Sequence, residues 1–131
     1  MHTATSPAQT SKAALWTGRI LSGLVCLVFL SAGPMFFFGR KMVDEGMTKY
    51  GYSHTAGTAI LLTEFFIGVL MAIPRTAVFG TLMLTAYLGG AVNTHVHAGE
   101  PFIIPIVVAV IAWIGLMLRE PRLRDLLPIR K

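Results

Sequence analysis

TAGTAILLTEFFIGVLMAI, residues 55–73, decides the fold: nineteen residues carrying one charge, Glu64, at their midpoint. At 1.5 Å rise per residue a helix of that length is roughly one bilayer core thick, so the run reads as a membrane-spanning helix. A carboxylate at the centre of such a helix costs at least about 2.5 kcal/mol on insertion scales and needs a partner, a water-filled cavity or a proton. Gly57, Leu61, Glu64, Gly68 and Met71 recur at steps of four, three, four and three, which keeps them on one stripe facing a partner helix. Glu64 shares that stripe with two glycines and is expected to point into a bundle rather than at lipid.

Three further apolar stretches flank this one. The first runs over residues 15–38, preceded by a small, polar tail (residues 1–14) that reads as disordered. Its length exceeds a signal-peptide core and no A-x-A cleavage site follows, so it is read as a retained helix. Gly18, Ser22, Cys26, Phe29 and Gly33 form a small-residue edge along it. Residues 39–54, GRKMVDEGMTKYGYSH, are the one sizeable loop, with a short surface helix in which Glu45 and Lys49 make an i,i+4 pair. The third helix is expected over 74–94, opened by Pro74, and HVHAGE (95–100) reads as a turn. The fourth covers 101–118, and residues 119–131 form a basic tail. The fold expected is all-α: an antiparallel up-down bundle of four membrane helices.

Composition agrees. Of 131 residues 54% are hydrophobic and 13% charged, against about 25% charged in a soluble domain. The four stretches leave no room for a separate soluble domain. The net charge of +5 sits largely outside the apolar cores, which points to topology and lipid headgroups and away from nucleic acid. Lys12, Arg19, Arg75, Arg119, Arg122, Arg124, Arg130 and Lys131 fall on one side; Arg40, Lys41 and Lys49 fall on the other. The positive-inside rule then puts both termini in the cytoplasm of a multi-pass inner-membrane protein. Trp16 and Trp113 lie towards that side, Tyr50 and Tyr52 towards the outer one. Arg75, Arg119, Arg122 and Arg124 are read as headgroup or topology residues.

Cys26 is the single cysteine, which excludes an intrachain disulfide and a CxxC redox pair; it reads as a small apolar helix residue. Thr81, Thr85, Gly89, Asn93 and His97 step by four along the third helix and drift by about 40° per step. Ala86 and Gly90 extend a second close-packing edge. Matching depths across the antiparallel second and third helices names Thr85 and Tyr87 as hydrogen-bond donors to Glu64. Asn93, His95 and His97 lie about two turns further out. H-x-H is a weak metal signal, because i and i+2 on a helix point about 200° apart. No metal, cofactor or catalytic residue is assigned.

Glu64, IPRTAVFG (73–80), YLGGAVNTHVHAGEP (87–101), Trp113 and LMLREPRLRDLLPIR (116–130) resemble the DoxX-like family of small four-helix bacterial membrane proteins. GRILSGLVCLVFL (18–30) and MTKYGYS (47–53) extend the likeness over nearly the whole chain. The resemblance implies a four-helix protein of the bacterial inner membrane, with distant relatives among membrane subunits of thiosulfate:quinone oxidoreductase and in oxidative-stress complexes. Such proteins often carry an acid followed by a lysine near the end of the first helix; here Gly33 and Pro34 stand there, so Glu64 is expected to be a neutral, hydrogen-bonded carboxyl. Three functions follow. The leading one is binding of a small hydrophobic ligand or a partner protein by Glu64, Thr85 and Tyr87, with Asn93, His95 and His97 as further polar candidates. The second is a quinone-linked redox subunit in which Glu64 handles protons through His95 or His97. The third is a proton-coupled transporter protomer, which needs a homodimer.

Overall fold

The computed structural model describes residues 10–126, and among them the regular structure is all helical. The helices are α1 (Lys12–Leu30), α2 (Ala32–Phe38), α3 (Arg40–Lys49), α4 (His54–Ala72), α5 (Ala77–His97), α6 (Ile103–Arg119) and α7 (Arg122–Leu126). Three segments are long and apolar enough to cross a membrane: Lys12–Phe38, His54–Ala72 and Ala77–His97. The apolar α6 is shorter, at 17 residues. It packs against α1 on one side and α5 on the other, while α4 joins α1 to α5. The four long helices therefore close a ring around Leu84, which is fully buried among Val25, Phe29, Ile67, Met71, Leu88 and Ala112.

The first apolar stretch starts earlier than its hydropathy indicates and then breaks. Ser11 caps it by accepting from the Ala14 amide at 3.2 Å, so the helix begins at Lys12 rather than at residue 15. It ends at Leu30 because Pro34, four residues on, has no N–H for the Leu30 carbonyl. The Ser31 hydroxyl donates to Val28 O at 2.6 Å across the break, and α2 continues from Ala32. The expected disordered tail falls mostly on residues 1–9, and the end of the basic tail on 127–131; both lie outside the described residues.

Close approaches follow the small residues. A methyl at Gly18 would lie 2.8 Å from Gly115 O, and one at Gly115 would lie 2.8 Å from Ser22 Oγ and 2.9 Å from its amide nitrogen. Gly68 sits against Leu30 and Gly80 against the Leu70–Met71 backbone. The α4 stripe is thus packed as its spacing indicates: Gly57, Leu61, Gly68 and Met71 are buried and Glu64 is half-buried. On α5 the expected edge of Ala86 and Gly90 is exposed, as is Gly89 of the polar stripe, because α5 turns Gly80, Thr81, Leu84 and Leu88 inward instead.

The ends of α3 and α5 share one design. Gly51 (φ 78°) and Gly99 (φ 70°) occupy the left-handed region that glycine enters without a Cβ clash. In each case the glycine N–H and the next N–H bond back into the last turn: Gly51 to Thr48 O (2.9 Å) and Tyr52 to Met47 O (3.0 Å), Gly99 to Val96 O (3.1 Å) and Glu100 to His95 O (2.9 Å). These are Schellman closures. The second one lets α5 run through His97, three residues beyond the expected end at Thr94. At the other end of α5, Pro74 lies in the turn and not in the first helical turn. The Thr76 hydroxyl donates to Leu70 O at 2.8 Å, closing α4, and α5 starts at Ala77.

Candidate functional site

Glu64 is ten residues from the start of α4 and eight from its end; Tyr87 has ten residues of α5 on either side. The two side chains meet at mid-helix, where the Tyr87 hydroxyl donates to Glu64 Oε1 at 2.6 Å. In hydrocarbon such a bond has little competition from water, though measured interhelical bonds average about 0.6 kcal/mol. The Phe29 ring stands edge-on to Tyr87, centroids 5.8 Å apart, and fixes the phenol from α1. The Cys26 thiol donates to Gly68 O at 3.3 Å, one turn from Glu64. Gly33, with no side chain, leaves room for the Phe65 ring next to Glu64.

The second carboxyl oxygen, Oε2, has no hydrogen-bond partner among the described residues, and it is not among the walled-in polar atoms. One oxygen is held and the other has no protein partner among the described residues, on a half-buried side chain. Among the described residues no cation forms an ion pair with Glu64.

Thr85 does not join this pair. Its hydroxyl donates to Thr81 O at 2.8 Å and accepts from Trp113 Nε1 at 2.9 Å, so it links α5 to α6 one side away from Glu64. Asn93 and His97 are exposed on α5. His95 is half-buried, its Nδ1 2.8 Å from Ala91 O, with Tyr50 packed on its ring at 5.7 Å. Both histidines are on α5, where i and i+2 point about 200° apart, and among the described residues no group of three or more His, Cys, Asp or Glu is placed to hold an ion.

Sequence reasoning missed two polar clusters at the α3 end of the bundle. Lys49 pairs with Glu100, and the Tyr50 hydroxyl donates to Glu100 Oε2 at 2.6 Å. The Tyr52 and Thr94 hydroxyls are 2.7 Å apart. Each Schellman closure thus sends its last residue across to the other helix. The expected Glu45–Lys49 pair is replaced, since Lys49 turns to Glu100 and Glu45 meets Lys41 at 4.0 Å. Hydrogen bonds from Lys49 and then Tyr50 hold the Glu100 carboxyl below the usual range, and the bond to Glu100 raises Lys49. In the second cluster Arg40 Nε sits 3.2 and 3.3 Å from the two Asp44 oxygens, Nη2 donates to His54 O at 2.9 Å, and His54 Nδ1 is 2.9 Å from Asp44. Desolvation pushes Asp44 up, but the bonds from Arg40 and His54 outweigh it and hold the carboxyl low. Two surface clefts lie along α2 and α3, beside Arg40, Asp44, Phe38 and Met42, and neither is lined by Glu64 or Tyr87.

The model of the DoxX-like family matches residues 20–115, which include every helix that builds the Glu64 pair. The chain belongs to the DoxX-like family. With three helices of spanning length and apolarity, this DoxX-like chain is a membrane protein. No curated protein and no solved structure matches it. The DoxX-like match covers Glu64, Thr85, Tyr87, Asn93, His95, His97 and Arg75 but stops short of Arg119, Arg122 and Arg124.

Proposed function

We propose that this protein is a four-span inner-membrane bundle, both termini cytoplasmic, that holds a small hydrophobic molecule with a polar head on the α4–α5 seam. It acts by binding and not by catalysis. The observation that carries the reading is the half-satisfied carboxyl: Tyr87 commits Oε1 at mid-depth, and Oε2 is left for a second partner. A lone polar atom in apolar surroundings sets the orientation of a ligand whose other contacts are hydrophobic. Phe65 and Phe66 beside it are exposed and give the apolar part of such a molecule a surface.

The quinone-redox and proton-transport readings both need a polar route from Glu64 to one face. His95, the relay they call for, is eight residues past Tyr87, about 12 Å along the helix axis, and its Nδ1 is engaged by Ala91 O. The geometry supports binding over relay.

The test is mass spectrometry of small molecules that copurify with the wild type and with Glu64→Leu. A hydrogen bond to a neutral carboxyl is worth about 0.5–1.5 kcal/mol, so the bound species should fall roughly two- to tenfold in the variant. Identical small-molecule profiles would reject the site. Labelling of a cysteine placed at Ala98, in a Cys26→Ala background, should occur from the periplasm; labelling from the cytoplasm overturns the orientation.

A further inference from the structure

The two ends of the bundle differ in how their charges are used. At the α3 end, Arg40, Lys41 and Lys49 face Asp44, Glu45 and Glu100, three against three, and every carboxylate is in an ion pair. At the opposite end, among the described residues, Lys12, Arg19, Arg75, Arg119, Arg122 and Arg124 face only Glu120 and Asp125, six against two, a net of +4. No ion pair forms there among the described residues. Gly18 against Leu118 and Arg119, and Leu123 against Ala77 and Leu116, bring these charges to one end.

The arrangement is held in place. α7 is pinned by Leu123, which is buried with Ala77 and Leu116. Arg124 Nε donates to Met117 O at 3.1 Å, which fixes the guanidinium against the end of α6. Four of the six cations also have an exposed apolar residue close by in the chain. Arg19 lies over the Trp16 ring at 5.4 Å, and Trp16 is 61% exposed. Ile73 (45% exposed) precedes Arg75, and Leu126 (79% exposed) ends the helix that carries Arg122 and Arg124.

We infer that this end is a binding collar for anionic phospholipid headgroups, with Arg75 and Arg122 as its outward cations and Trp16, Ile73 and Leu126 against the acyl chains. Unpaired guanidinium groups match phosphate by charge and geometry. The interleaved exposed apolar side chains decide for lipid over an acidic protein or a nucleic acid, neither of which offers an acyl layer beside its phosphates or carboxylates. The collar is independent of the Glu64 site, which lies at mid-helix.

The full chain is reconstituted in an equimolar mixture of phosphatidylglycerol and phosphatidylcholine, extracted in mild detergent, and its retained lipids are counted by native mass spectrometry. Lipid retention in the extracted protein does not depend on how the chain was oriented in the membrane. Wild type should retain phosphatidylglycerol in excess. Arg75→Gln/Arg122→Gln should lower that excess by roughly fivefold for each arginine, the factor that corresponds to about 1 kcal/mol per cation near an anionic surface. Arg75→Lys/Arg122→Lys, which keeps the charge, should preserve most of it, and Lys41→Gln at the paired end should leave it unchanged. Retention in the proportion of the mixture by wild type, an equal loss in Lys41→Gln, or copurified nucleic acid displaced from the arginines in place of lipid would each overturn the collar.

Discussion

The Tyr87 hydroxyl reaches Glu64 Oε1 at 2.6 Å, so the carboxyl in the middle of α4 is held by a phenol at the centre of α5. Tyr87→Phe keeps the ring against Phe29 and removes only the donor. It should cost about 0.5–1.5 kcal/mol of unfolding stability in micelles. Glu64→Gln keeps an amide oxygen for Tyr87 and should cost less than Tyr87→Phe. Tyr87→Phe combined with Glu64→Leu, each of which removes the bond, should be less destabilised than the sum of those two singles, by about the 0.5–1.5 kcal/mol of the bond. Additive effects would mean that the bond contributes nothing to the fold.

Glycines separate by what surrounds them. At Gly18 and Gly115 an added methyl meets backbone and Cβ atoms of the facing helix that have no flexible end to move, and at Gly115 the Ser22 hydroxyl as well. Gly18→Ala and Gly115→Ala should each lose about 1–3 kcal/mol by overpacking the α1–α6 crossing. Gly23 and Gly89 are helical and have nothing within 4 Å of that position. Alanine there should stabilise by about 0.4–1 kcal/mol through the unfolded chain. Unfolding midpoints of the four variants, compared in one detergent, check both signs.

The difference between those glycines marks what the sequence could convey. The four apolar runs and the α4 stripe were legible because hydropathy and a three-four spacing are local properties. Tyr87 was reachable by matching the midpoints of two antiparallel helices. Thr85 was not separable from Tyr87 in that way, since depth says nothing about which way a side chain faces; its hydroxyl turned to Trp113 on α6. The break at Ser31 was signalled by Gly33-Pro34, but its place depended on which carbonyl the proline leaves unpaired. The α3-end clusters were hidden because Glu100 is fifty residues from Tyr50, and only the two glycine closures bring them together.

Arg40 ties α3 to the start of α4 through Asp44, His54 and Thr58. Lysine cannot reproduce a fork that contacts a carboxylate and a carbonyl at once. Arg40→Lys should therefore loosen α3 nearly as much as Arg40→Ala, and hydrogen exchange over residues 40–49 should quicken in both while the centre of α4 stays protected. Wild-type exchange in Arg40→Lys would show that charge alone holds α3.

The Lys49–Glu100–Tyr50 cluster should give stability a flat middle and two falling edges in pH. Hydrogen bonds from Lys49 and Tyr50 depress the Glu100 carboxyl. Its contribution is complete above the ordinary glutamate value of 4.5 and is lost as pH falls through the lower folded value. Lys49 and Tyr50 are raised, each first by its bond to Glu100. Their contributions are complete below the ordinary values of 10.5 and 10.0 and disappear as pH rises through the folded ones. The difference in unfolding midpoint between wild type and Glu100→Gln should then be constant from pH 5 to 9 and shrink outside that window. These groups are solvent-accessible, so the difference should also narrow in high salt, where surface charges are screened within a few ångströms. A difference that persists unchanged in acid, once Glu100 is protonated, would mean that the cluster acts by packing and not by charge.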